Sequence, residues 1–317
     1  MSDYSASLTI PDHFRRQFST QWEMELQQAN QKFASAGTLE SAWSSKEYVW
    51  TDLDIIEAAE TTGQRFGDSN PSDVGGGKRK GYQRQFEVGI KRDQWDNQWL
   101  NTQALPDSDI IMNMKAGLNR KMDSVFIEAA TAASLGGADP FNTSIALPAA
   151  SQISVGYVLS GATTNSGLTP YKILEAVKRF ETSEVDVEQE ELYLAISPRQ
   201  KLDLVAFVAS APNDIWAKIV GQWLADSQTG KPTKLMGFNT IISNRLALDV
   251  AADVRTCVAF TKSAFKVSPI SQRLEIDKLP TKRHALQIMS YAAFGAVRVK
   301  DEKVQVIYCD ESVPAPT

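Results

Sequence analysis

Chemistry at a protein site needs nucleophiles, bases or metal ligands in groups, and this 317-residue sequence gathers few of them. Its only histidines are His13 and His284, so a Ser–His–Asp relay would have to use one of them, and no Gly-x-Ser-x-Gly elbow exposes a serine. Neither Cys257 nor Cys309 has another ligand type at metal-binding spacing. Gly75–Gly76–Gly77–Lys78 invites comparison with a phosphate-cradling loop. That loop needs a glycine five positions before the Gly–Lys pair and a Ser or Thr after it; here those positions hold Ser72 and Arg79. The acids of 181–191, ETSEVDVEQEE, lack the apolar surroundings that would tune a carboxyl for proton transfer. Trp95 and Trp99, four apart, read as a packed helical pair. The sequence therefore assigns no catalytic residue, no cofactor and no metal, and no enzyme activity is expected.

What the sequence does group is charge. Arg65, Lys78, Arg79, Lys80, Arg84, Lys91 and Arg92 outnumber Asp68, Asp73 and Glu87 between residues 64 and 92, whereas 181–191 carries Glu181, Glu184, Asp186, Glu188, Glu190 and Glu191 with no base. These are either two solvated surfaces or complementary contacts between neighbouring copies, where charge sets register and association rate. The net charge of −5 argues against a dedicated nucleic-acid binder, which usually carries a basic excess. It is compatible with a wall that faces DNA without gripping it. Apolar residues at 43% and charged residues at 22% fit a soluble globular chain of more than one unit. Two cysteines suggest a reducing compartment. No secretory leader and no run of the ~20 apolar residues needed to span a bilayer is visible, so synthesis and assembly in a cytoplasm, away from membranes, are expected.

The elements that would position these groups follow from periodicity. Phe14, Phe18, Trp22, Leu26, Ala29 and Phe33 form one helical stripe over about 12–34. Residues 48–56 and 82–90 alternate as strands, and the polar stretch between them predicts a projecting hairpin. A long helix is predicted over 108–134, with Gly136 and Gly137 as its stop. Thr169–Pro170 and Ser197–Pro198 each announce a helix by an N-cap and a proline at its first position. Another helix covers about 214–225. LYLAIS (192–197), GFNTIISN (237–244), 254–261 and 285–292 read as strands, and a closing hairpin runs through GAVRV, a turn at Lys300–Lys303, and VQVIYC.

The order of these elements resembles the major capsid proteins of tailed double-stranded DNA phages, a fold shared with encapsulins. The stretches GYQRQFEVGIKRDQWDNQ, GLTPYKILEAVKRF, YLAISPRQKLDLV and GFNTIISNRL look like a capsid-protein family of such phages. The resemblance covers nearly the whole chain and rests on order and spacing. It implies an α+β fold with an N-terminal arm (1–47), an extended β-hairpin loop (48–95), a peripheral domain (96–159 and 254–317) with a spine helix, and an α/β axial domain (160–253). It implies a structural subunit that assembles as hexamers and pentamers into an icosahedral shell around the genome, in the virion. Implied partners are further copies of itself, a separate scaffolding protein, a portal, decoration proteins and packaged DNA touched without sequence preference. Phe14, Phe18 and Trp22, the basic residues above, and Glu184, Asp186, Glu188, Glu190 and Glu191 become candidate subunit contacts. An encapsulin-like compartment is the alternative within the fold; a cytosolic α/β enzyme, and then a nucleic-acid-binding module, are the alternatives outside it.

Overall fold

A computed structural model describes residues 27–53, 75–92, 107–159, 164–210, 214–228, 234–282 and 284–312. The strands are β1 (Thr38–Leu39), β2 (Glu47–Thr51), β3 (Lys78–Tyr82), β4 (Arg84–Arg92), β5 (Ser134–Gly136), β6 (Thr143–Ile145), β7 (Gln152–Ile153), β8 (Leu192–Ile196) and β9 (Phe238–Ile242). They continue as β10 (Leu248–Asp249), β11 (Val254–Thr261), β12 (Phe265–Val267), β13 (Ser271–Leu279), β14 (Ala285–Phe294), β15 (Ala296–Arg298) and β16 (Val304–Asp310). The helices are α1 (Asp107–Thr131), α2 (Pro170–Thr182), α3 (Pro198–Ser210) and α4 (Ile215–Gln228). The chain divides into two compact units. The predicted positions Phe14, Phe18, Trp22, Arg65, Trp95 and Trp99 lie outside the described residues.

One unit takes the stretch up to Asn30 with Phe86–Arg120 and Gln272–Ala292. Its three-stranded sheet runs β13–β14–β4. Ile110 and Met114 of α1 bury against Ile288, with Val88, Ile111 and Leu286 around them. The period-3.6 stripe of the helix thus meets the period-2 face of the sheet. Residues 27–30 run along the helix without being helical: Gln27 donates to Asn113 at 3.0 Å, and Asn119 donates to the Ala29 carbonyl at 2.7 Å. The helix predicted over 12–34 therefore does not reach its expected end.

The other unit holds the remainder. Its main sheet has the order β7–β16–β11–β8–β9, with β10 on β11. β8 lies parallel to β9, and α3 and α4 form the long crossover that parallel neighbours require. The buried apolar run of β8 follows, because both faces of such a strand are covered. β11 and β16 join this sheet, β11 pairing with both β8 and β16. The boundary expected at 253/254 is thus crossed by a continuous ladder. The resemblance implies that the chain returns to the peripheral domain here; the ladder itself shows only that β11 and β16 share a sheet with β8.

Two hairpins differ from expectation. β2 pairs with β3, Glu47 opposite Tyr82 and Thr51 opposite Lys78, so the returning strand is the basic KRKGY and not 82–90. Strand 84–92 alternates as predicted but belongs to the β13–β14–β4 sheet. Likewise β15 pairs with β12 whereas β16 pairs with β11 and β7, so GAVRV and VQVIYC do not face one another. The spine helix ends at Thr131, before the predicted stop; Gly137, at φ 89°, turns the chain beyond β5 instead.

Candidate functional site

Strands β2 and β3 are held by an aromatic cluster of the second unit. Trp43 is fully buried and meets Trp50 edge-on at 5.0 Å, with Tyr48 tilted on Trp50 at 4.8 Å. Two glycines make room for the Trp43 indole: a Cβ on Gly81 would stand 2.8 Å from it and one on Gly295 2.7 Å. The aromatic wedge packs β2 and β3 against the chain around Gly295.

A charged relay holds the same strand. Arg79 donates to Asp301 at 2.6 Å and to Ser134 at 2.7 Å. The other Asp301 oxygen accepts from Arg298 Nε at 2.6 Å. Arg298 has no exposed surface, and its remaining donors reach the carbonyls of Ala130 (3.0 Å), Ala132 (2.9 Å) and Ile145 (3.4 Å). A buried guanidinium therefore occupies the end of α1, where orphan carbonyls and the helix dipole favour a cation. It takes the part that the sequence reading gave to glycine.

The expected contact residues separate into two groups. Arg79 is committed to Asp301, Lys80 to Glu47 at 2.9 Å, and Arg84 to Glu128 at 2.7 Å. The Arg84 hydrogen bond holds the Glu128 carboxyl below its ordinary range, and Glu128 in turn raises Arg84. Among the acids, Glu190 accepts from Ser263 at 2.6 Å and pairs with Lys303, and Glu191 pairs with Lys262 at 2.8 Å. Burial alone would raise Glu190, but bonds from Lys303 and Ser263 bring it below normal. Lys262 lowers Glu191 likewise. The second group is exposed, without an ion pair among the described residues: the bases Lys78 and Lys91, and the acids Glu184, Asp186 and Glu188. The Arg92 side chain lies outside the described residues.

Glu184 sits at φ 56° just past α2. Its N–H donates to Glu181 and that of Val185 to Phe180, a Schellman closure in which glycine is the usual occupant. An exposed acid in that conformation carries local strain.

The sequence reading missed the buried ions. Lys172 is fully buried, and its ammonium reaches the carbonyls of Val155, Ser166, Gly167 and Tyr308 at 2.8–3.1 Å. Burial pushes its pKa down. Its place beside Ile173, on the stripe with Ala176 and Phe180, was the available signal. Glu311 makes two bonds to Arg255, at 2.8 and 3.0 Å, which lower its pKa and fix the end of β16 to β11. Cys257 and Cys309 are buried free thiols in neighbouring strands. Among the described residues no three His, Cys, Asp or Glu gather as a metal cluster, and no helix is long and apolar enough to cross a membrane.

No curated protein matches the sequence. The fold is similar to a capsid protein of Ralstonia phage GP4, at 11% identity and a TM-score of 0.64 with all of both chains covered. It is similar to the capsid structure of cyanophage P-SCSP1u, at 13% identity and a TM-score of 0.62, covering 94% of this chain and 93% of that one. A chain from Mycobacterium phage Che8 aligns at 12% identity and a TM-score of 0.61, covering 94% and 97%. The family model described as phage capsid protein matches residues 10–311. With nearly its whole length inside that match, the chain belongs to the phage capsid protein family.

Proposed function

We infer that this protein is the major capsid subunit of a tailed phage, a structural protein that assembles with copies of itself into an icosahedral shell around double-stranded DNA. The family match from residue 10 to residue 311 carries the reading. Hexameric and pentameric capsomers, a separate scaffolding protein, a portal and decoration proteins complete the proposal, with assembly in the host cytoplasm. The exposed bases Lys78 and Lys91 and the exposed acids Glu184, Asp186 and Glu188 are the charges proposed to meet across copies. Arg79, Lys80, Arg84 and Glu190 are engaged in ion pairs within their own chain, whereas Glu191, paired with Lys262, stays exposed. Many such weak contacts, repeated in a closed shell, make dissociation negligible.

The test is expression of the full chain, with and without a co-expressed scaffold, and sizing by ultracentrifugation and electron microscopy. Hollow particles or capsomer rings are the expected product. A monomer or dimer under every assembly condition refutes the proposal. Lys78→Glu with Lys91→Glu lowers particle yield while leaving the circular dichroism of the chain unchanged; full yield removes those two residues from the contact.

A further inference from the structure

β13 is an edge strand that the sequence reading passed over. It terminates the β13–β14–β4 sheet, and seven of its nine residues are exposed, so among the described residues nothing covers its outer backbone groups. Edge strands of this length are ordinarily blunted, because their free N–H and C=O groups recruit another strand. Here Leu274 and Ile276 share one face, 44% and 52% exposed. Arg273 and Glu275 share the other, paired at 2.6 Å.

The order of these four residues is self-complementary. We propose that β13 pairs antiparallel with β13 of a second copy across a two-fold axis, Leu274 opposite Leu274 and Arg273 opposite Glu275. In that register both charged pairs are attractive, and the intrastrand ion pair becomes an alternating ring of four charges. Leu274 and Ile276 of both copies close into one apolar patch, since directly opposite and diagonal neighbours on a face are within reach. The register one step along would set Glu275 against Glu275, and a shift by a single residue would exchange the faces. The contact is isologous, which an icosahedral shell accommodates on its two-folds. This inference rests on the shell reading above and names one of its contacts.

Two experiments on the full chain test it. Leu274→Cys particles, mildly oxidised, shift from monomer to covalent dimer on a non-reducing gel, whereas Lys278→Cys particles stay monomeric. Arg273→Glu and Glu275→Arg each lower particle yield about tenfold alone, from two like-charge pairs per contact, and recover it when the two chains are mixed. Mixing discriminates because within each variant chain the two side chains repel, so only pairing between chains rescues. Particles of normal yield whose Leu274→Cys chains do not cross-link overturn the inference and leave the shell reading intact. Cross-links formed only between Ile90→Cys and Ile276→Cys chains overturn it in favour of a β13–β4 contact. If the unmodified chain forms no particles at all, the shell reading fails and this contact fails with it.

Discussion

Replacing Asp301 by Asn keeps the size of the side chain and removes the charge that two arginines share. Arg298 has no exposed surface, and its other partners are backbone carbonyls, which accept hydrogen bonds without neutralising it. Asp301 is itself only 5% exposed, so water cannot take over its role. Breaking a buried pair from one side leaves an uncompensated charge and costs about 3–5 kcal/mol. That is a large part of the ~5–15 kcal/mol that holds a typical protein folded. Arg79→Met removes only the outer partner, with its bond to Ser134, and leaves the Arg298–Asp301 pair, so about 1.5–3 kcal/mol is expected, the worth of one hydrogen bond to a charged group. Replacing Arg79 and Arg298 by Met and Asp301 by Leu together costs less than Asp301→Asn, because no charge is then stranded. Urea midpoints under non-assembling conditions, followed by circular dichroism and tryptophan fluorescence, read all three. An Asp301→Asn cost below about 1 kcal/mol would mean that the carbonyls alone satisfy Arg298, and the reasoning would be wrong.

Further outcomes follow from close contacts and from burial. Gly81→Ala drives a methyl to 2.8 Å from both Trp43 and Trp50 and costs about 1–3 kcal/mol, seen as a lower Tm with altered tryptophan emission. Glu184→Gly relieves a left-handed residue at φ 56° and raises stability by about 1 kcal/mol, measurable in the same urea titration. Lys172 has a folded pKa below its unfolded reference of 10.5, so between the two the unfolded chain binds more protons and stability rises with pH. The advantage of the wild type over Lys172→Met therefore grows as pH climbs through that window; a constant difference would show that Lys172 does not titrate there.

The helices were legible because local chemistry marks their ends. Both Pro170 and Pro198 open helices as read, and Ser197 caps α3 by accepting from the Arg199 N–H. Thr169 stands at the right place but makes no capping bond; its buried hydroxyl has no partner. Pairing partners were less legible. The alternation of 84–92 is real, yet nothing in it distinguishes β14 from β2 as a neighbour. KRKGY hides a strand because its lysines and glycine have poor strand propensity; Lys80 pairs with Glu47, Arg79 with Asp301, and Gly81 admits the Trp43 ring. β13 was missed because it has no buried face to give a hydrophobic signal, although Gln272, Leu274, Ile276 and Lys278 do alternate with Arg273, Glu275 and Asp277. The order of elements in the sequence sufficed for the family. It did not separate the charges bound within the body from those left on its surface.

The bond from Arg79 to Asp301 closes a span of 222 residues. A nascent chain exposes β2 and β3 early in translation, while the carboxylate that seats Arg79 emerges near the end. Closing so long a loop is an entropic cost met only when its far end has been made. The seat of β3 is therefore completed only when the chain is nearly finished, and the order of synthesis sets when that strand is pinned.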